Sequence, residues 1–275
     1  MKQAAMALIF IWGVWAAVLS GCASTSPASN AAGSAAGSGG QNLLDQIKAN
    51  GEIVIGTLGT YPPYNYYDKE GKLTGFEIDI AEEVAKRLGV KAKWEVASWD
   101  GLLGGLDSGR FHFIMCQIAV TPEREKKYDF TEPYERPYPV LITLADDTSI
   151  NSYDDLKGKK VNSSPTSIYG KVALEHGATL IQAEGDALEL LKSRRVDVIM
   201  NDNLHFLTLQ KSRPDVAIRV AARQEEPMTI SIPVKKGNPE LAAAIDQAVK
   251  DMKADGTYLK LSEKWFGTDV SGDRK

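Results

Sequence analysis

From residue 42 onward, short apolar segments with strand character alternate with segments whose apolar residues recur at helical spacing. Residues 52–58 (EIVIGTL) form an apolar run, and residues 76–88 carry a helical pattern that stops at Gly89, a residue type that commonly ends helices. Residues 91–96 (KAKWEV) then alternate with a period of two, as strands do. This alternation predicts an α/β fold, with enough chain for two units of roughly 90 to 100 residues each.

Further segments of both kinds continue the alternation, and a second block begins near Asp146. The remaining strand candidates are residues 111–117, 138–144, 159–162, 178–181, 196–200 and 229–234. The remaining helix candidates are residues 99–108, 167–176, 186–193, 202–211, 238–254 and 257–266.

The first 41 residues differ in composition from the rest of the chain. Lys2 precedes an almost uninterrupted apolar stretch over residues 4–19, and small residues and Cys22 follow it. This order predicts a secretory signal over residues 1–21. The apolar stretch is shorter than the roughly 20 apolar residues that a membrane-spanning helix needs. A Cys directly after the cut resembles a bacterial lipoprotein signal, whose Cys is lipidated; the alternative is an ordinary signal peptide that contains a Cys. Residues 22–41 are predicted to be a flexible tether, so the following domain is expected outside the cytoplasmic membrane.

Charge and cysteine content exclude several classes of function. The formal net charge is −4, which provides no electrostatic basis for binding nucleic acid. The chain has two cysteines; if Cys22 is lipidated, Cys116 has no partner and is expected to be a small buried residue. No spacing of Cys and His indicates a metal site, and His112, His176 and His205 are expected to be structural or exposed. The sequence therefore predicts neither a metal nor a cofactor.

A first candidate for ligand binding is the segment 121–124 (TPER), which follows the strand candidate 111–117. Thr121 suits an N-cap and Pro122 suits the first helical position, so a helix is expected to begin here. Ligands bind at the carboxyl ends of strands in open α/β sheets, and free N–H groups at a helix start attract anions. Arg124 has a guanidinium group that can bind a carboxylate with two parallel hydrogen bonds. The alternative is a surface arginine on a capped helix.

Two further candidates are weaker when each is taken alone. Asp202 follows the buried strand candidate 196–200, where its carboxylate can bind an ammonium group or cap the next helix. Tyr61, Tyr64 and Trp99 lie at strand ends, where they can form a flat wall for a ligand side chain. Aromatic side chains are also common in cores, so both interpretations stay open.

The same segments carry a resemblance to a known family. In chain order they are residues 75–80 (GFEIDI), 99–102 (WDGL), 108–111 (SGRF), 121–124 (TPER), 128–134 (YDFTEPY), 155–159 (DLKGK), 196–202 (VDVIMND) and 255–267 (DGTYLKLSEKWFG). Over about residues 42–270 the chain resembles the extracellular solute-binding proteins for polar amino acids, which are the receptor components of ABC importers. The ordered set is far more specific than any single motif.

The resemblance implies the two-lobed clamshell of periplasmic binding proteins. The first lobe is expected to comprise residues 42–144 and 235–270, and the second lobe residues 145–234. The two crossings between the lobes are expected near residues 144–148 and 230–235.

The resemblance also implies how such a clamshell holds an amino acid. The arginine that matches Arg124, with the backbone near Thr121, holds the ligand α-carboxylate. The aspartate that matches Asp202 holds the α-ammonium group from the other lobe. A zwitterion between the lobes then satisfies both sites and favours hinge closure.

Other motifs within the resemblance concern the identity of the ligand. Gln117, the pair 201–202 and the segment 165–170 (PTSIYG) are most similar to the cystine-binding members. Ala119 and Cys116 stand where the family usually has polar residues, so neither side chain is expected to supply the polar contact that the family has there. Thr166 and Ser167, at an expected helix start, can add hydrogen bonds to the ligand carboxylate. The implied ligand-binding residues are Tyr61, Trp99, Gln117, Ala119, Thr121, Arg124, Thr166, Ser167 and Asp202.

The sequence therefore predicts an extracytoplasmic, lipid-anchored, monomeric receptor of an amino-acid ABC importer, with a permease in the cytoplasmic membrane as its partner. The expected ligand is cystine or another polar amino acid, and the protein is not expected to be an enzyme. One alternative is a prephenate- or arogenate-type dehydratase on the same scaffold, with a cleft carboxylic acid as general acid. A second alternative is an amino-acid-sensing lipoprotein that serves no importer.

Overall fold

A computed structural model of the chain describes residues 42–183 and 186–272. The predicted signal peptide, the predicted lipidation site Cys22 and the predicted tether lie outside the described residues. Within the described ranges, no helix is both long and apolar enough to cross a membrane.

The described residues form thirteen strands and nine α-helices. The strands are β1 (Glu52–Thr57), β2 (Thr60–Tyr61), β3 (Asn65–Tyr67), β4 (Leu73–Thr74), β5 (Lys91–Val96), β6 (Phe113–Ile114), β7 (Tyr128–Phe130), β8 (Pro139–Leu144), β9 (Lys160–Asn162), β10 (Thr179–Ile181), β11 (Ile199–Asp202), β12 (Ile218–Arg223) and β13 (Pro233–Lys235). The helices are α1 (Leu43–Asn50), α2 (Phe76–Leu88), α3 (Trp99–Asp107), α4 (Pro122–Glu125), α5 (Ile168–Glu175), α6 (Ala187–Lys192), α7 (Asn203–Ser212), α8 (Pro239–Ala254) and α9 (Thr257–Phe266). A short 3-10 helix spans Tyr153–Leu156.

A five-stranded sheet of order β5-β1-β6-β13-β7 forms the centre of the first lobe. Strand β1 pairs in parallel with β5 and β6, whereas β13 runs antiparallel to β6 and β7. Ile53 and Ile55 of β1 are fully buried, as expected for a central strand covered on both faces. Helices α8 and α9 pack on α2, so the end of the chain returns to the first lobe.

The second lobe is built on an antiparallel sheet of order β11-β8-β12, with the parallel pair β9–β10 beside it. An isolated bridge between Val161 and Val198 joins the two sets of strands. Helices α5, α6 and α7 pack on these strands. The two sheets with their helices confirm the predicted two-lobed α/β fold.

The chain passes between the lobes earlier than the sequence suggests. Strand β8 pairs with β11 and β12 and so belongs to the second lobe, which makes the expected lobe boundary at residue 144 wrong. We infer that the first crossing spans residues 131–138 and the second spans residues 224–232. Ile230, in the second crossing, bridges both Ala119 and Glu135. An apolar strand does not carry in its own residues the identity of its distant partners, so the sequence pattern could not place β8 in the second lobe.

The sequence patterns did not predict several elements of the structure. Helix α1, strand β12 and the small sheet of β2, β3 and β4 were not predicted. Strands of two or three residues are too short to show a period of two. The small sheet places Tyr61 and Tyr64 next to the first lobe's edge, where both side chains meet the second lobe.

Candidate ligand-binding site

A cavity of about 240 Å³ lies between the lobes, and both lobes contribute to its wall. The residues that line it from the first lobe are Leu58, Tyr61, Trp99, Cys116, Gln117 and Arg124. Those from the second lobe are Asn162, Ser163, Ser164, Ser167, Ile168, Tyr169, Met200 and Asn201. The structure thus brings together five of the predicted site residues, namely Tyr61, Trp99, Gln117, Arg124 and Ser167.

Arg124 supplies a positive charge to this cavity. The Thr121 side-chain oxygen accepts from the Arg124 N–H at 3.2 Å, so the predicted cap forms and places the side chain one turn into α4. The guanidinium donates from Nη1 to the Ala119 carbonyl at 2.8 Å and lies 5.8 Å from the centre of the Trp99 ring. Arg124 is only 8% exposed, and burial lowers its pKa.

Arg124 has no acidic partner among the ion pairs of residues 42–183 and 186–272. A buried charge without a counterion is unfavourable. An arginine in this state, facing a cavity, is suited to bind an anion from outside the protein, and a carboxylate matches its planar fork.

The start of α5 forms the opposite wall of the cavity. The Ser167 side-chain oxygen accepts from the Gly170 N–H at 2.9 Å and donates to the Ser164 carbonyl at 2.9 Å. A Cβ at Gly170 would lie 2.0 Å from the Ser164 carbonyl oxygen, so only glycine permits this close approach. The packing fixes the loop of serines that faces Arg124 across the cavity.

Direct contacts hold the two lobes together around the cavity. The Tyr61 hydroxyl donates to Asn201 Oδ1 at 2.7 Å, and Trp99 Nε1 donates to Thr166 Oγ1 at 3.0 Å. Lys171 and Glu123 form an ion pair across the cleft mouth. These contacts describe a closed arrangement of the lobes.

Thr121, Thr166 and Ala119 lie at the margin of the cavity and not on its main wall. Thr121 and Thr166 line an adjoining cavity of about 400 Å³ that also contains Arg124. Ala119 is buried, and its carbonyl holds the Arg124 guanidinium as described above. Its contribution therefore comes from the main chain, so the replacement of a polar residue by alanine leaves this contact intact.

Asp202 serves as a helix cap and also keeps one oxygen free. Its Oδ1 accepts from the Leu204 N–H at 2.9 Å and the His205 N–H at 2.8 Å at the start of α7. Its Oδ2 is buried and has no hydrogen-bond partner within the described part of the chain. Burial raises the pKa of Asp202 to about 6. Asp202 does not itself line the 240 Å³ cavity but directly follows Asn201, which does.

Gln117 is held in place by two buried carboxyl groups. Its N–H donates to Glu77 Oε1 at 2.7 Å, and its Nε2 donates to Glu135 Oε2 at 2.5 Å. Its backbone has a φ of 49°, an uncommon value for a residue other than glycine and one often found at functional sites. The buried Oε1 has no partner among the described residues, so the cavity wall contains an acceptor that is free for a ligand N–H.

Sequence reasoning missed Glu77 and Glu135, which are both fully buried. A signal for Glu77 exists, because it precedes Ile80, Ala81 and Val84 on the same apolar face of α2. Glu135 lies in an irregular crossing segment, where no periodicity indicates burial. Tyr64, whose hydroxyl lies near both Glu135 and Asp202, was predicted only as part of an aromatic wall.

The structure also shows the surroundings of three residues to which the sequence assigned no role in ligand binding. Cys116 is a free thiol and 2% exposed, which confirms the prediction of a small buried residue. His112 accepts from the Val54 N–H through Nδ1 at 2.8 Å and so extends the pairing of β1. His205 is buried against the Tyr61 ring at the lobe interface.

Residues 53–268 match the model of the bacterial extracellular solute-binding proteins, family 3. The chain belongs to this family. Among curated family members, it is 40% identical over 233 residues to the L-cystine-binding protein TcyA of Bacillus subtilis, covering 84% of this chain and 87% of that protein. The predicted resemblance to family members that bind cystine is thus confirmed.

Solved structures of the family support the fold. The L-cystine solute receptor of Neisseria gonorrhoeae, unliganded and open, is 38% identical with a TM-score of 0.57, covering 83% of this chain and 98% of its own. The ancestral amino acid-binding protein AncCDT-1, a precursor of cyclohexadienyl dehydratase, is 33% identical with a TM-score of 0.73, covering 82% and 99%. The open receptor is more similar to this chain in sequence than AncCDT-1 is, yet its structure superposes less well. This difference is in keeping with the closed lobes described above.

Proposed function

We propose that the protein is an extracytoplasmic receptor that binds a free amino acid by its zwitterionic head group and delivers it to an ABC importer. The observation that carries this proposal is the buried Arg124, which faces the interlobe cavity without an acidic partner in the described structure. Family members are extracellular solute-binding proteins, and the amino-acid receptor interpretation explains why a cation is kept there.

In this proposal the two ends of the head group bind to different groups of the cleft. The ligand carboxylate binds the Arg124 guanidinium in a bidentate manner, with the hydroxyl of Ser167 within the same cavity. The ligand ammonium group binds the free buried acceptors, Gln117 Oε1 and Asp202 Oδ2. Asp202 then acts as a helix cap through one oxygen and as a ligand contact through the other. A ligand that lacks either charge leaves a buried group unpaired, which weakens closure.

We propose cystine as the preferred ligand. This proposal is supported by the sequence identity of 40% to TcyA of Bacillus subtilis and by the shape of the cleft. Leu58 and Trp99 line both the 240 Å³ cavity and a neighbouring open cavity of about 830 Å³, which Thr60, Ser98 and Asp186 also line. A ligand longer than one amino acid can therefore bind with its first head group at Arg124 and extend past Trp99.

We also propose that Cys22 carries a lipid anchor, that the receptor acts as a monomer, and that its partner is a permease in the cytoplasmic membrane. The small residues before Cys22 and the low-complexity segment after it support the anchor. Stable anchoring requires two acyl chains or more, so metabolic labelling with a fatty acid, with Cys22→Ser as the control, tests this point. Loss of label in the variant supports lipidation, and equal labelling contradicts it.

The ligand is tested by thermal unfolding of the chain from residue 22, with Cys22→Ser, in the presence of each amino acid, cystine or prephenate. A ligand that binds only the folded state raises Tm by mass action. A shift with cystine, absent in Arg124→Ala and with the ligand unchanged after long incubation, supports the receptor. A shift with prephenate alone, accompanied by its consumption, favours the dehydratase. Binding without cystine uptake in cells that contain the permease favours the sensing lipoprotein.

A further inference from the structure

Glu135 lies in the first crossing between the lobes and is linked to both of them. Its Oε2 accepts from Gln117 Nε2 of the first lobe at 2.5 Å, and its Oε1 lies 3.4 Å from the Tyr64 hydroxyl. The same hydroxyl lies 3.2 Å from Oδ1 of Asp202, which belongs to the second lobe. Glu135, Tyr64 and Asp202 thus form a buried chain of oxygen atoms across the closed cleft.

The surroundings of Glu135 are acidic or neutral. Asp202 from β11 and Glu77 from α2 are the charged groups that face it, and neither they nor Glu135 take part in an ion pair within the described ranges. The other titratable groups around it are the phenols of Tyr61, Tyr64, Tyr134 and Tyr169. Burial, followed by the charge of Asp202, raises the pKa of Glu135 well above its usual range.

This chain of oxygen atoms has two oxygen–oxygen contacts, but if both carboxyl groups are ionised it has only one proton, that of the Tyr64 hydroxyl. The Tyr64 hydroxyl has a single proton to donate, yet it lies between an oxygen of Glu135 and an oxygen of Asp202. Asp202 Oδ1 already accepts two backbone N–H groups at the start of α7, which favours its ionised form. A proton on Glu135 Oε1 lets Glu135 donate to Tyr64 and Tyr64 donate to Asp202 Oδ1, so that each of the two oxygen–oxygen contacts contains one proton.

We propose that Glu135 is a neutral carboxylic acid in the closed protein and is a positioning residue for the ligand site. Its protonated oxygen orients Tyr64 towards Asp202, and its other oxygen accepts from Gln117 Nε2 and so leaves Gln117 Oε1 free for the ligand ammonium. The role at the ligand rests on the proposed function, whereas the protonation state does not. Because the chain joins the two lobes only when the cleft is closed, closure takes up a proton and weakens as the pH rises.

The first test needs no ligand. Glu135→Gln keeps an oxygen for Gln117 Nε2 and an N–H for Tyr64, so it reproduces the neutral acid without a proton to lose. A group that keeps its proton only in the folded state makes stability fall as the pH rises. Wild-type Tm should therefore fall relative to Glu135→Gln by roughly 3 °C per pH unit between about pH 5 and the folded-state pKa. If the Tm of the wild type and the Tm of Glu135→Gln change in parallel with pH across this range, the proposal is overturned.

Two controls keep the result specific. Glu226→Gln removes an exposed glutamate from the second crossing, and its Tm should follow the wild-type curve at every pH. Infrared spectra of the wild-type protein at pH 7 should contain the carbonyl stretch of a protonated carboxylic acid, reduced in Glu135→Gln. A wild-type spectrum without this band overturns the proposal even if the variant does not fold.

The second test concerns the ligand. Wild-type Kd for cystine should rise by up to about tenfold per pH unit where closure takes up one proton, whereas Kd of Glu135→Gln should not follow this rise. Equal pH dependence in both proteins contradicts the positioning role. If cystine and the other amino acids do not bind the wild-type protein at all, the proposed function fails, and the pH dependence of Tm still decides the state of Glu135.

Discussion

The substitution Arg124→Ala removes the positive charge that binds the ligand carboxylate in the proposed site. In the closed cleft the guanidinium has a single described hydrogen bond, to the Ala119 carbonyl, and faces a cavity lined by uncharged side chains such as Ser164 and Asn201. The ligand carboxylate is expected to occupy the remaining donors of the fork. Without Arg124, that carboxylate enters a buried site with no counterion.

The size of the effect follows from this geometry. Breaking a buried ion pair by removing one partner costs about 3–5 kcal/mol, which corresponds to an increase in Kd of roughly a hundredfold to several thousandfold. The unliganded protein should respond differently. It loses a hydrogen bond from a charged donor, worth about 1.5–3 kcal/mol, but it also loses a buried charge whose desolvation costs several kcal/mol. The two changes oppose each other, so its free energy of unfolding should stay close to the wild-type value or rise.

The assay combines titration calorimetry with urea unfolding of the same two proteins. Arg136→Ala is the matched control, because Arg136 is exposed and its side chain donates one described hydrogen bond, to Thr229 Oγ1 at 3.1 Å. Its affinity should equal that of the wild type. An Arg124→Ala protein with near-wild-type affinity refutes the assigned carboxylate site. A large loss of stability without ligand refutes the inference that Arg124 is an uncompensated cation.

Three further predictions concern other parts of the cleft. Asp202→Asn should weaken binding of free amino acids by at least about tenfold and of a des-amino analogue much less, measured by calorimetry, because Asn still caps α7 but lacks the charge for an ammonium group. Gly170→Ala should destabilise the protein by about 1–3 kcal/mol in urea unfolding and weaken ligand binding, because its Cβ would displace the Ser164 carbonyl. His205 has its pKa lowered to about 4 by burial, so it takes up a proton mainly on unfolding; between pH 7 and pH 4.5 the wild-type protein should therefore lose about 2–3 kcal/mol more stability than His205→Gln.

Each of these predictions has a control or a contrary result within the same chain. If Asp202→Asn weakens binding of the amino acid and of its des-amino analogue equally, Asp202 acts only as a helix cap. Gly104→Ala should be neutral or stabilising, because a Cβ there meets open space. His176→Gln, at a partly exposed site, should follow the wild-type pH profile; a His205→Gln protein that does the same shows that His205 titrates normally.

The sequence by itself determined the features that depend on neighbouring residues. The helix start at Thr121, the cap at Ser167 and the cap at Asp202 were predictable because a cap is formed by residues three positions apart or fewer. The α/β class was predictable because helical and strand periodicities are read within a single segment. Ordered motifs in the same segments indicated the family.

Only the tertiary structure decided how these segments combine. Strand β8 joined the second lobe because β11 and β12, far along the chain, pair with it. Glu135 became a buried group because Gln117, Tyr64 and Asp202 from separate elements enclose it. Hydrogen bonds of a cap are set by local geometry, whereas the free energy of a buried charge is set by every group that surrounds it. The electrostatic character of the cleft is therefore a property of the folded chain and not of any one segment.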